Sequence, residues 1–188
     1  MHVEETEICG VKLIRPKIHG DERGWFAEMY NENKYLHAGL PVRYVQDNQS
    51  FSHRGTLRGL HYQLGKPQGK LIRVLSGKIY DVAVDIRRKS PTFGRWAGFD
   101  LNAENAATLW IPEGLAHGFL VLSETASVLY KTTDGYFPQG ERTIRWNDPE
   151  LAIAWPLESI KPMSPILSEK DAAGKLLRDA EIFEELGA

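Results

Sequence analysis

The sequence contains a single cysteine, Cys9. Without a second thiol no intrachain disulfide can form, so the fold must rest on a packed core and needs no oxidising compartment. No unbroken apolar stretch approaches the roughly eighteen residues of a membrane-spanning helix. Met1 to Gly10 carry Glu4, Glu5 and Glu7 and lack both the basic and the apolar region of a secretory leader. These absences read as a cytoplasmic chain with no membrane partner. An excess of one charge is missing too: 23 Lys and Arg face 25 Asp and Glu, a formal net charge of −2, and the cations are scattered. That argues against nucleic acid as a partner, since such binding needs a basic stripe to neutralise phosphates. A few cations converging on one small anionic ligand remain compatible with this balance.

Helical periodicity is also scarce. One short helix is expected over 33–39, closed by Gly39. A second is expected from about residue 168, where Ser168 to Asp171 resembles a capping box and Leu176, Leu177, Ala180, Phe183 and Leu186 follow at helical spacing. Between them strand signals dominate. Lys70 to Ser76 and Ile79 to Arg87 are rich in β-branched and aromatic residues, and Gly77-Lys78 between them predicts a hairpin. In the second run Tyr80, Val82, Val84 and Ile86 alternate with Asp81, Ala83, Asp85 and Arg87, which predicts one buried and one more polar face. Further strands are expected over 25–30, 44–51, 94–101, 107–111, 118–122 and 127–132. Many short strands separated by turn residues predict a mainly β sandwich or barrel. With 188 residues, 42 % of them hydrophobic, and no repeat or linker, the chain is expected to form a single domain over 1–188. Trp155 to Pro165, with its three prolines, reads as an extended arm.

Two spacings carry the chemistry. Gly55-x5-His61-x-Gln63 precedes Lys70 and Gly77, and Pro112-x-Gly114-x2-His117 follows. Together they resemble the two characteristic stretches of the cupin superfamily, a jelly-roll (double-stranded β-helix) barrel. Metal-binding cupins place His-x-His, Glu and a further His there, a set suited to a first-row divalent ion. Here Gln63 replaces the second histidine and Lys70 lies in the region of the Glu; an ammonium group is a poor ligand. No metal and no cofactor is expected, and the interior is read as turned to acid–base chemistry.

Within the cupins the chain resembles the dTDP-4-dehydrorhamnose 3,5-epimerase family. The resemblance rests on residues 21–28, 46–48, 57–63, 68–70, 81–87, 90–94, 110–119, 130–131, 141–142, 146–149 and 167–171, in order over nearly the whole chain. Gln49 and Leu115 depart from the usual residues, and neither falls on a position assigned to chemistry. The resemblance implies a dTDP-linked 4-keto-6-deoxyhexose as substrate, epimerised at carbons 3 and 5 on either side of the ketone. It implies His61 as general base, Asp171 as its dyad partner, Lys70 as the cation beside the keto oxygen and Tyr130 as the acid on the opposite face. Histidine suits such a base because its unperturbed pKa lies near neutral.

For the nucleotide and sugar, the resemblance implies contacts from Arg23, Phe26, Glu28, Gln46, Asp47, Asn48, Arg58, Lys70, His117, Tyr136, Glu141 and Lys170. The arginines would engage the pyrophosphate and Phe26 and Tyr136 would stack on thymine, while His117 would hydrogen-bond substrate or hold the site. It further implies a homodimer whose N-terminal strands cross to the neighbour, so that Arg23, Phe26 and Glu28 complete the other copy's site. A mono-epimerase acting at carbon 3 or 5 alone on a related keto-sugar is the alternative reading, since it would use the same base and acid. A metal-dependent cupin oxygenase and a non-catalytic sugar-binding cupin are the remaining alternatives.

Overall fold

Alternation of side chains builds two antiparallel sheets that share one core. The computed structural model describes residues 1–186. In chain order its elements begin with β1 (His2–Glu5), β2 (Lys12–Arg15), β3 (Ile18–Asp21), β4 (Gly24–Ala27) and α1 (Glu32–His37). There follow β5 (Gln46–His53), β6 (Leu57–Gln63), β7 (Lys70–Ser76), β8 (Lys78–Asp85) and β9 (Trp96–Asn102). The series ends with β10 (Thr108–Ile111), β11 (Leu115–Val121), β12 (Thr125–Thr132), β13 (Glu141–Thr143) and α2 (Glu169–Ala172). One sheet has the order β1-β2-β10-β7-β12-β5 and the other β13-β6-β11-β8-β9, while β3 and β4 pair only with each other.

The faces follow from the period of two. Ile72 and Val74 of β7, Val128 of β12, Ala83 of β8 and Phe119 of β11 meet in the core between the sheets. The outer face of the five-stranded sheet is covered by the C-terminal arm through Leu151, Trp155, Ile160 and Phe183. The outer face of the six-stranded sheet is covered by α1, whose buried Tyr35 packs with Ile14, Leu71 and Trp110. Burying each such side chain is worth about 1.5–3 kcal/mol, which is why the short arm and helix stay down.

Three expectations are corrected. Gly77-Lys78 does not join a hairpin: β7 pairs with β10 and β12, whereas β8 pairs with β9 and β11 in the other sheet. Gly77 is instead the corner between sheets, at φ +78° and so close to the Thr125 carbonyl that no Cβ fits. The alternation in β8 is real, but its polar face is not exposed, because Asp81 and Asp85 point into the barrel and are fully buried. Asp85 is held there by Arg87, Ser90 and Thr92, so stretches 81–87 and 90–94 have a structural use.

The third correction concerns the C-terminus. The helix from 168 stops after one turn at Ala172, and only a 3₁₀ turn, Leu177–Asp179, follows. Tertiary pairing takes the backbone that a helix would need: Lys175 bridges Ile144, Phe183 bridges Arg87, and the Leu177 N–H donates to Asp148 Oδ2 at 2.7 Å. The helical spacing of Leu177, Ala180, Phe183 and Leu186 is satisfied by an extended strap over the same outer core. The expected helix at 33–39 is α1, and the strands foreseen from the sequence are present with shifted ends.

Gly77→Ala is expected to destabilise the fold by more than the roughly 1–3 kcal/mol that a left-handed non-glycine residue costs, because the overlap with Thr125 adds to it. Gly94→Ala, at φ +73° with open space around it, should show the backbone cost alone. Urea denaturation of the two variants checks the ordering.

Candidate active site

A β-bulge places the central histidine. Opposite β11, His61 pairs with His117 and Arg58 with Phe119, so three steps on β6 match two on β11. The extra residue lies at Gly59, φ +119°, where a Cβ would come within 2.5 Å of Gly118 Cα. Bulges re-aim side chains, and this one puts Arg58 and His61 on one inward face while Leu57, Leu60 and Tyr62 pack outward.

The bulge also offers a donor. The Gly59 N–H donates to Asp171 Oδ1 at 3.2 Å, and His61 Nε2 contacts the same oxygen at 2.5 Å. Ser168 caps α2 by accepting from the Asp171 N–H at 3.1 Å, and its hydroxyl donates to Asp171 Oδ2 at 2.7 Å. Burial, at 4 % exposure, pushes the Asp171 carboxyl up, but the hydrogen bonds from His61, Ser168 and Gly59 outweigh it and hold the group at about 2. For His61 the balance runs the other way. Burial pushes its pKa down, the Asp171 contact opposes this, and the nearby Lys170 and Lys70 charges push it further down. The site therefore favours a neutral imidazole with Nε2–H on the carboxylate and Nδ1 unengaged among the described residues.

Lys70 shares the inward face of β7 with Ile72 and Val74, a position for an apolar residue. It is 8 % exposed, and its Nζ donates to the His61 carbonyl at 3.2 Å. Burial brings it down to about 8, with Asp81 and Glu141 opposing the shift and Lys170 adding to it. On β11, His117 Nε2 donates to the buried Asp81 carboxylate at 2.9 and 3.0 Å. Tyr130 comes from the other sheet, on β12 opposite Asn48 of β5. Burial raises its pKa, Arg58 lowers it and Glu141 raises it, so the phenol keeps its proton at neutral pH.

These groups face one cavity of about 410 Å³, lined also by Gln46, Asn48, Arg58, Tyr136, Glu141 and Lys170. A polar chain shapes its rim. Gln46 accepts from the Tyr136 N–H at 2.9 Å and donates to Asn48 at 2.9 Å, while the Tyr136 hydroxyl donates to Glu141 at 3.1 Å. Glu141 is ion-paired with Lys170, beside Asp171. Gln63 also lines the cavity, but its amide is taken up by the protein. Its amide donates to the Lys66 and Gly135 carbonyls and accepts from the Phe137 N–H, tethering the loop that carries Tyr136. Among the described residues, no three His, Cys, Asp or Glu side chains form a group that could hold a metal.

Four expected contact residues lie outside this cavity. The Asp47 side chain points to the outer face of β5, as the alternation there requires, and pairs with Lys131 at 2.8 Å. Arg23, Phe26 and Glu28 are on or next to the β3–β4 hairpin. Arg23 pairs with Asp21, Glu28 with Lys34, and Phe26 is 71 % exposed. Conversely, sequence reading did not name Ser50, Tyr62, Gln63, Gln68 and Phe119 as site residues, though all line the cavity, nor Asp81 behind His117. The period of two from Gln46 through Asn48 points to Ser50, whereas nothing in the sequence pairs Asp81 with a histidine 36 positions away.

A jelly-roll barrel whose polar interior faces a dyad, a buried lysine and a protonated tyrosine across one cleft defines a cupin-type enzyme of acid–base chemistry. The family model described as dTDP-4-dehydrorhamnose 3,5-epimerase matches residues 5–179, and the chain belongs to that family. It is 54 % identical over 184 residues to the dTDP-4-dehydrorhamnose 3,5-epimerase of Pseudomonas aeruginosa, covering 97 % of this chain and 99 % of that one. The crystal structure of dTDP-6-deoxy-D-glucose-3,5-epimerase from Legionella pneumophila, in complex with dTDP-4-keto-L-rhamnose, superposes with a TM-score of 0.92 at 48 % identity over 98 % of both chains. ChmJ, a 3'-monoepimerase from Streptomyces bikiniensis solved with dTDP-quinovose, gives 0.84 at 35 % identity over 92 % of this chain and 86 % of its own.

The depressed Asp171 pKa has a signed consequence. A carboxyl lowered by folding contributes stability that is complete above its unfolded value near 4 and lost as pH falls towards 2. Asp171→Asn should be less stable than the parent at neutral pH by about 2 kcal/mol, and the gap should close between pH 4 and 2. Denaturation midpoints across that window check it.

Proposed function

We propose that the chain inverts carbons 3 and 5 of dTDP-4-dehydro-6-deoxy-D-glucose to give dTDP-4-dehydro-L-rhamnose. The observation that carries this reading is that His61 of β6 and Tyr130 of β12, read as base and acid, come from different sheets and line one cavity. A sugar ring held between them has one group on each face. His61 Nδ1 takes the proton from the carbon next to the ketone, and Asp171 stabilises the imidazolium that forms. The Lys70 ammonium opposes the negative charge that develops on the keto oxygen, an effect worth about 10²–10³ in rate for one such donor. Tyr130 then delivers a proton from the opposite face, which completes the inversion.

Arg58 is the cation that would engage the pyrophosphate from within the chain, with Tyr136 and the Gln46–Asn48 edge at the rim. Mono-epimerisation is the second reading, favoured by the fold shared with ChmJ. The higher identity to the 3,5-epimerases supports inversion at both carbons.

The β3–β4 hairpin completes the proposal. It hydrogen-bonds to neither main sheet and exposes Trp25 and Phe26. Two aromatics left in water suit burial against a second copy of this chain, whose site would receive Arg23, Phe26 and Glu28.

Proton NMR in deuterated water separates the two faces. His61→Asn should lose both exchange and inversion, as no enolate forms. Tyr130→Phe keeps the base, so exchange at carbon 3 or 5 should outpace epimerisation. Unaltered epimerisation by Tyr130→Phe would remove it as the acid.

A second test addresses the hairpin. Arg23→Ala and His61→Asn should each be nearly inactive alone. Random reassortment of the two makes half the dimers mixed, each with one intact site, so about a quarter of parental activity returns if the hairpin acts in trans. No recovery means that Arg23 serves its own chain.

A further inference from the structure

One fully buried carboxylate at this site is still unassigned. Asp81 has no exposed surface and does not line the cavity, yet both its oxygens accept from His117 Nε2, at 3.0 and 2.9 Å. A buried anion that touches no ligand is costly unless it is compensated and serves something beyond itself. Its place in the sheet is specific: β8 runs beside β11, Asp81 is in register with Phe119, and its side chain follows Ile79 and Ala83 into the barrel. On the facing sheet Lys70 occupies an inward position on β7 and is itself buried.

We propose that Asp81 is a positioning residue of the active site, which holds the His117 ring against the cavity wall through Nε2 and provides the counter-charge for Lys70. This rests on reading Lys70 and His117 as groups that face the ligand. Asp81 acts through both and touches the sugar with neither oxygen. Anchoring Nε2 leaves His117 Nδ1 as the only ring nitrogen free to meet a ligand, since among the described residues it has no protein partner. The charges of Asp81 from β8, Glu141 from β13 and Lys170 from α2 act on Lys70, the His61 carbonyl of β6 accepts from its Nζ, and His117 from β11 and Tyr130 from β12 line the cavity with it. Arg58 lines the same cavity. Of the two anions among them, Glu141 is already paired with Lys170 and the Tyr136 hydroxyl. Among the described residues Asp81 pairs with no lysine or arginine and meets only the His117 ring, so its charge is the one left for Lys70. Its contribution to the Lys70 pKa is upward, larger than that of Glu141, and opposed by burial.

Asp81→Asn separates charge from shape, since the amide oxygen can still accept from His117 Nε2. The sign is fixed: removing an anion that favours the ammonium makes Lys70 lose its proton at lower pH. In Asp81→Asn the Lys70 titration, followed by NMR of lysine labelled at Cε in the unliganded protein, should move down by about one pH unit. The alkaline limb of kcat/KM should move with it, giving about a tenfold loss at pH 8.5 relative to the parent. The acid limb set by His61 should move much less. Asp81→Ala also frees the His117 ring and should lose activity at every pH.

An unmoved Lys70 titration in folded Asp81→Asn overturns the proposal. Should that variant not fold, the parent protein still decides: ¹⁵N spectra should show the His117 proton on Nε2, and a neutral ring protonated on Nδ1 instead refutes the anchor. Lys70→Ala with full turnover would sink the assigned use of Lys70 in epimerisation. The NMR titration would still report on Asp81.

Discussion

The contact between His61 and Asp171 joins positions 110 residues apart, and much of the architecture is arranged around it. Taking a carboxylate out of water costs several kcal/mol unless it is well bonded. Asp171 receives the His61 ring, the Gly59 N–H and the Ser168 hydroxyl, which together exceed the burial cost and keep it ionised. Each donor has its own origin. The Gly59 N–H is exposed by a bulge that only glycine allows, and Ser168 is the N-cap of a four-residue helix far too short to persist alone. The dyad thus pins the C-terminal arm to the barrel as it orients the imidazole. The bridges Thr56–Ile166 and Ile144–Lys175 hold the same arm on either side.

The second constraint is polarity inside the barrel. A jelly roll normally fills its interior with apolar side chains, and here the deeper half does so through residues such as Val74, Val121 and Val128. The open half carries Lys70, His61, His117 and Tyr130, with Asp171 behind His61, Asp81 behind His117 and Glu141 paired with Lys170 at the rim. Such groups are held before any ligand arrives, which is the condition for electrostatic stabilisation without reorganisation. The same balance keeps His61 neutral and Tyr130 protonated, opposite states suited to a base and an acid on opposite walls.

Legibility differed by kind of information. The strand class was written in β-branched alternation, and the short helix 33–39 in its closing glycine. The membership was written in motifs that run along most of the chain. Most of the residues named from those motifs do line one cavity: His61, Lys70, His117, Tyr130, Arg58, Gln46, Asn48, Tyr136, Glu141 and Lys170. Asp47 did not, because adjacent residues on a strand face opposite ways and a contiguous motif cannot all point inward. Arg23, Phe26 and Glu28 stand apart, on or next to a hairpin that pairs with neither main sheet among the described residues.

What the sequence determined by itself was local and periodic: which segments are strands, which glycines turn, and which side-chain chemistries are available. Tertiary structure alone decided which of them meet. Gly77 reads as a hairpin turn until the two sheets diverge there, because local spacing does not encode which neighbour a strand will choose. The helical spacing after Leu176 lost to pairing with Ile144 and Arg87, since a helix of that length gains less than burial and long-range hydrogen bonds supply. Asp81 reads as one polar residue in an alternating strand. It becomes the anchor of His117 only when β8 and β11 lie side by side, because a hydrogen bond is short-ranged and sequence distance places no group within its reach.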